Sequence, residues 1–144
     1  MKKGITVIVI ITIIALLLIG YIFSITKQNN DKIKSHNSTF EKYLGKELYG
    51  SDISTIINKA IDINEKNKIE KDKDGKYIEN DMNSIKINLK MKDNDNIYAM
   101  ETIYKNKIEE FMKYYGPIKF KCTNIEYHQK TKMIKKMIFE QILT

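Results

Sequence analysis

One cysteine, two histidines and a scatter of glutamates are the groups in this 144-residue chain whose chemistry could be covalent or proton-transferring. A thiol nucleophile needs a neighbouring base to become a thiolate. Cys122 stands at no diagnostic spacing from His36 or His128 and falls in an alternating apolar run, so it is expected to be a small buried hydrophobe. General acid and base work needs carboxylates, or a carboxylate and a histidine, on one side of a substrate. Glu109, Glu110, Glu126, His128 and Glu140 are the candidates, yet Glu109 and Glu110 are neighbours on a helical stretch and point to different azimuths. They read as surface charge. A concave cluster around Glu126 and His128 is what an enzyme would require.

A second set of spacings points to a cation. In Glu70-Lys71-Asp72-Lys73-Asp74-Gly75-Lys76-Tyr77-Ile78-Glu79-Asn80-Asp81, oxygen ligands fall at loop positions 1, 3, 5 and 12 and glycine at 6, a partial match to a calcium-binding EF-hand loop. Glu replaces Asp at the first position, Asp replaces the bidentate Glu at the last, and the segment leads toward a strand where a helix belongs. Lysines among the ligands raise the cost of holding a cation. An exposed turn at Asp74-Gly75 is therefore expected, with no metal and no cofactor.

The elements that would position these groups begin with an anchor. After Met1, Lys2 and Lys3, the 23 residues from Gly4 to Thr26 are uncharged and rich in Ile, Val and Leu. At ~1.5 Å of rise per residue they span roughly 34 Å, enough for a hydrocarbon core of about 30 Å. A cleavable secretory signal has a shorter apolar region and small residues at its cut site. This run leaves through Tyr21, Ile22, Phe23, Ser24 and Ile25, so a retained transmembrane anchor over residues 1–26 is expected, with Tyr21 and Phe23 at the interface. Lys2 and Lys3 with the N-terminal amine balance Lys27, Lys32 and Lys34, so flanking charge leaves the orientation open; a short tail before one span favours an exported domain.

All 25 basic residues are lysines and the net charge is +7. A basic domain beside a membrane is drawn to anionic lipid headgroups or an anionic wall polymer. Nucleic acid is disfavoured as a partner, because planar bidentate contacts to bases and phosphates are the work of arginine. The polar part is long enough for one domain, and a single cysteine leaves its stability to packing.

Residues 27–37 read as a juxtamembrane stalk, with a frayed continuation of the membrane helix as the alternative, and 38–144 as an α+β domain. Ser38-Thr39-Phe40-Glu41 forms a capping-box pattern opening a short helix with Phe40, Tyr43 and Leu44, which Gly45 closes in a left-handed conformation. Ser51 and Asp52 are natural caps for a helix whose face is Ile53, Ile56, Ile57, Ala60 and Ile61. Ser84 to Met91 alternates as a strand, and Asp93-Asn94-Asp95-Asn96 breaks it. A second helix over Met100 to Tyr115 presents Met100, Ile103, Tyr104, Ile108, Phe111, Met112 and Tyr115, and Gly116-Pro117 stops it. Alternation returns in Ile118, Phe120 and Cys122, and its parity shifts at Ile125 and Tyr127, the mark of a bulge near Thr123-Asn124. Gln129 to Lys132 reads as a hairpin loop. Met133 to Leu143 suits helix by Ile134, Ile138 and Ile142 and strand by Met137 and Phe139; strand is favoured, since a lone pair would leave the 84–91 strand poorly supported. The expected fold is an anchor helix followed by two main helices packed on an antiparallel sheet of about three strands.

His36-Asn37-Ser38-Thr39-Phe40-Glu41-Lys42-Tyr43-Leu44-Gly45, followed by Gly50-Ser51 and the run from Ile56 to Asn64, resembles an uncharacterised group of small single-pass membrane proteins of low-GC Gram-positive bacteria. Its mark is an Asn-Ser-x-Phe-Glu-x-Tyr-x-Gly element, and the resemblance implies no catalytic residue. It singles out Phe40, Glu41, Tyr43 and Gly45 as a possible interaction element, a capped docking segment where the chain leaves the membrane. Lys2-Lys3-Gly4 and the apolar run after it are similar to the leader of type IV prepilins and pseudopilins, which are cut after the glycine; this chain has Ile5 and Val9 where that family carries Phe and Glu. The function expected first is a non-enzymatic, single-pass protein of the plasma membrane whose C-terminal domain faces outward and meets an unknown protein or polymer. A pilin-like subunit comes second and an envelope-associated enzyme third.

Overall fold

A computed structural model of the chain describes residues 2–92, 96–105 and 108–143. It falls into two units, residues 1–35 and 36–144. The first is a run of helix α1 (Lys2–Glu41), in which no apolar side chain of the membrane-length stretch is buried. Ile8, Leu17 and Phe23, for example, are 65%, 68% and 71% exposed. The Thr12 and Thr26 hydroxyls donate to the Ile8 and Ile22 carbonyls at 2.9 Å each, so these polar groups of the run are satisfied inside the helix and need no water.

The helix passes through residues 27–37 without a break. Ser38 therefore lies inside α1, and the expected N-cap is not one. A capping box stabilises a helix only where the first N–H groups lack partners; here the preceding turns already supply carbonyls. α1 ends at Glu41, Leu44 is outside it and half-exposed, and Gly45 does take the left-handed conformation, at φ 73°.

In the second unit, β1 (Glu47–Tyr49) leads into α2 (Gly50–Lys66), followed by β2 (Lys86–Lys90), β3 (Ile97–Ala99), α3 (Met100–Lys105), α4 (Ile108–Tyr115), β4 (Lys119–Tyr127) and β5 (Ile134–Gln141). Asp52 caps α2 from its third position, accepting the Tyr49 N–H at 3.1 Å, and Gly50 is its first residue. Only glycine fits there: a Cβ on Gly50 would sit 2.0 Å from the Tyr115 carbonyl oxygen. The α2 face is as expected, with Ile53, Ile56, Ile57, Ala60 and Ile61 all buried.

Among the described residues the strands form one sheet in the order β1-β4-β5-β2-β3. This corrects the three-stranded antiparallel sheet expected above: there are five strands, and β2 runs parallel to β5, from Lys86 opposite Lys136 to Lys90 opposite Glu140. β1 and β3 are three residues each, too short for alternation to announce them. The parallel pair needs a long crossover, which β3, α3, α4 and β4 supply. The expected bulge appears as a register shift between Cys122 and Asn124, and β5 is the returning strand. Ile87, Leu89, Phe120, Cys122, Met137 and Phe139 point to the buried face, while Lys90–Glu140 and Lys136–Glu126 ion pairs cross the solvated one.

The stretch expected as one helix contains α3 and α4, with 106 and 107 outside the described residues. Its inward side is narrower than expected. Met100, Ile103 and Phe111 are buried, whereas Tyr104 and Met112 are exposed. The expected turn at 93–96 falls mostly outside the described residues, since 93–95 are not among them.

Candidate functional site

The Phe40, Glu41, Tyr43 and Gly45 element lies where the last turn of α1 meets β4 and β5. Phe40 is fully buried in the core and its ring lies 5.6 Å from that of His36, one turn earlier. Glu41 is exposed and accepts a hydrogen bond from the Tyr127 hydroxyl at 2.9 Å. Tyr43 packs half-buried against the core with the Lys42 ammonium 4.9 Å from its ring centroid. The Gly45 N–H donates to the Cys122 carbonyl at 2.9 Å, and the Cys122 N–H to that of Lys46 at 3.3 Å, which seats β1 on the edge of β4. The structure thus brings all four residues together, with Phe40 and Gly45 engaged in the domain's own packing, Tyr43 half-buried against the core and Glu41 at the surface.

Two residues beside the element do more than sequence reasoning assigned to them. The Asn37 amide closes a two-point bridge onto the hairpin: its Nδ2 donates to the Lys132 carbonyl at 2.8 Å and its Oδ1 accepts the Ile134 N–H at 2.9 Å. His36 Nε2 donates to the Ile134 carbonyl at 3.0 Å. The available signal was spacing, since His36 and Phe40 are four apart and share a helical face once α1 is continuous.

Burial lowers the His36 pKa below its ordinary 6.5, the bond to the Ile134 carbonyl opposes this, and His128 adds a smaller downward push. The unfolded chain therefore takes up this proton more readily than the folded one. The stability it contributes is full above about pH 6.5 and is lost as the pH falls through the folded value. Urea unfolding of the detergent-solubilised chain between about pH 7.5 and 5 should show the midpoint falling toward acid, with a shallower fall for His36→Gln.

Cys122 is fully buried and burial pushes its thiol up to about 11. At a given neutral pH this leaves about 100-fold less thiolate than an ordinary value of 9 would. Iodoacetamide should label it at least 100-fold more slowly in the folded chain than in denaturant; equal rates would place the thiol at the surface.

Glu126 and His128 do line a concave surface, a cleft of about 590 Å³ that also includes Asp81, Lys130 and Lys135. Each of its charged groups is engaged in an ion pair. Asp81 pairs with Lys130 at 3.1 Å, Glu126 with Lys136 at 3.5 Å, and Lys135 with Glu79 at 2.5 Å. His128 is buried, and its Nε2 donates to the Ser84 carbonyl at 2.7 Å. Glu109 and Glu110 lie on α4 and Glu140 on β5, so neither set joins the cleft.

The calcium-like loop forms the exposed turn. Asp72 Oδ1 accepts the N–H groups of Asp74 and Lys76 at 3.0 and 2.8 Å, and Gly75 sits at φ 81°. Among the described residues no group of three or more His, Cys, Asp or Glu side chains converges on a metal position. Beyond the turn, Glu65 Oε1 accepts both Lys71 Nζ at 2.6 Å and the Tyr77 hydroxyl at 2.5 Å. Burial and then the Glu65 bond push the Tyr77 phenol up to about 12. The groove of about 860 Å³ beside it is lined by Lys71, Lys73, Lys76 and Lys105 with Asp74 and Glu101, a surface of net positive charge.

No family model, curated protein or solved structure matches the chain.

Proposed function

We propose that the chain is a non-enzymatic, single-pass protein of the plasma membrane whose α+β domain stands on the outer face and works by contact with a protein or an anionic polymer. The observation that carries the reading is the fully exposed apolar surface of α1 over residues 4–26. A helix apolar on all sides has no stable place in water. Its fifteen Ile, Leu, Val and Phe residues favour bilayer insertion by about 5–9 kcal/mol in sum. Support for contact over catalysis comes from the histidines, whose Nε2 atoms are both committed to backbone carbonyls. Glu41 at the surface with half-buried Tyr43, and the lysine-lined groove, are the faces such a partner would meet.

The test joins intact mass with protease shaving of whole cells of the native host. The expected result is a membrane-bound 16.9 kDa chain whose domain is shaved, and a chain lacking residues 1–26 that leaves the membrane fraction. A full-length chain resistant to shaving would place the domain inside. A mass beginning at Ile5 would favour a pilin-like subunit, a reading supported by the unbroken helix from Lys2 to Glu41. An envelope enzyme rests on the concavity at Glu126 and His128; the ion pairs that already engage the cleft's charged residues are why it ranks third.

A further inference from the structure

We propose that the cleft between α3, α4 and β3 binds a quaternary ammonium group, a trimethylammonium head on a short stem. The cleft measures about 170 Å³, and a cavity of roughly 150 Å³ holds a benzene-sized group. Met91 and Phe111, both buried, give it an apolar floor; Tyr98, Tyr114 and Tyr115 line its sides, and exposed Glu110 stands beside them. Glu110 and Tyr114 are four apart on α4 and so share a face. Tyr98 pairs with inward-facing Leu89 across β2 and β3, which turns its ring to the same side as the core.

Charge selects the ligand. Among the described residues lining this cleft none is basic, whereas the other two clefts set Lys71, Lys73, Lys76 and Lys105 beside Asp74 and Glu101, or Lys130 and Lys135 beside Asp81 and Glu126. In a chain of net charge +7, a concavity with one carboxylate and three tyrosine rings draws a cation where its surroundings repel one. The faces of tyrosine rings attract cations within about 6 Å of the centroid. The chain already shows this at Tyr114, where the Lys113 ammonium lies 5.7 Å from the centroid.

The type of cation follows from the acceptors. A primary ammonium is strongly hydrated and brings three N–H donors that must all be satisfied. Here the Glu110 carboxylate and the Thr102 and tyrosine hydroxyls stand at the rim, while the floor is apolar and offers no acceptor. A quaternary ammonium has no N–H to satisfy, and its methyl groups can rest on Met91 and Phe111 while the positive charge faces the rings. No bond is made or broken. The site stands whichever side of the membrane the domain occupies.

The full chain in maltoside micelles is titrated with choline, tetramethylammonium, n-propylammonium and the uncharged choline isostere 3,3-dimethyl-1-butanol, with tyrosine fluorescence and heat as readouts. Choline and tetramethylammonium should bind saturably, with n-propylammonium and the uncharged isostere at least about tenfold weaker. Tyr114→Ala and Glu110→Gln, both at exposed positions, should each weaken choline by about five- to tenfold and leave the unfolding midpoint in place. Absence of saturable choline binding overturns the proposal, as does equal binding of the uncharged isostere or affinity unchanged in both variants. Reconstitution in phosphatidylcholine and in phosphatidylglycerol nanodiscs then separates the sources. Choline blocked in the first and bound in the second identifies a lipid headgroup, and choline bound in both identifies a free solute.

Discussion

Phe40→Ala should strongly destabilise the domain while leaving the apolar helix over residues 4–26 in place. The ring is fully buried, and its neighbours include His36 on the preceding turn. Truncating such a ring removes its transfer free energy and leaves a cavity, a cost of about 3–5 kcal/mol. That is a large share of the about 5–15 kcal/mol that holds an ordinary domain together. Urea unfolding followed by hydrogen exchange in micelles should show the amides of β4 and β5 losing protection while those of residues 4–26 keep it. Glu41→Gln, which alters an exposed bond to Tyr127, should cost less than about 1 kcal/mol. A Phe40→Ala midpoint matching that of Glu41→Gln would mean that the ring lies outside the core and is free for a partner.

Asn64→Ala is the second large effect, and it comes from a polar residue. Asn64 is fully buried at the end of α2, where its Nδ2 donates to the Ile85 carbonyl at 2.8 Å and its Oδ1 accepts the Ile85 N–H at 2.9 Å. One amide thus replaces a missing strand neighbour for Ile85, itself fully buried at the entry to β2. Alanine would strand a donor and an acceptor away from water at about 1–3 kcal/mol each, so a loss of about 2–6 kcal/mol is expected. Asn67→Ala provides the scale: its side chain makes a single bond to the Asn83 carbonyl at 3.0 Å in a half-buried setting and should cost about 1 kcal/mol. Equal costs for the two variants would show that water reaches Ile85.

These two residues also mark how far the sequence could be read. The spacing of Ile53, Ile56, Ile57, Ala60 and Ile61 gave the buried face of α2, and Asn64 continues that face, but its polar side chain hid it at the edge of a charged segment. The alternation of Ile85, Ile87, Leu89 and Met91 was plain because one whole side of that strand is covered. Ile97 to Ala99 and Glu47 to Tyr49 left no comparable trace, since three residues cannot establish a period. Strand partners were beyond reach for a different reason: alternation says which side of a strand is buried and nothing about its neighbour, so the parallel match of β2 to β5 had to come from the structure. At the candidate site, Phe40, Glu41, Tyr43 and Gly45 were legible as a segment. Their arrangement was not, because the capping pattern at Ser38 suggested a fresh helix where α1 continues, and with a fresh start His36 and Asn37 would have fallen outside it.

The place of β5 in the sheet governs when this domain can fold. β5 lies between β4 and β2 and bonds to both along its length, and Lys86 finds its partner at Lys136, fifty residues on. Until Ile134 to Gln141 has been made, β2 with β3 and β4 with β1 share no common neighbour, and Ile134, Met137 and Phe139 are missing from the middle of the core. Pairing over such a separation closes slowly, because the loop entropy is spent before the contacts form. The two halves of the sheet therefore join only once Ile134 to Gln141 is in place between them.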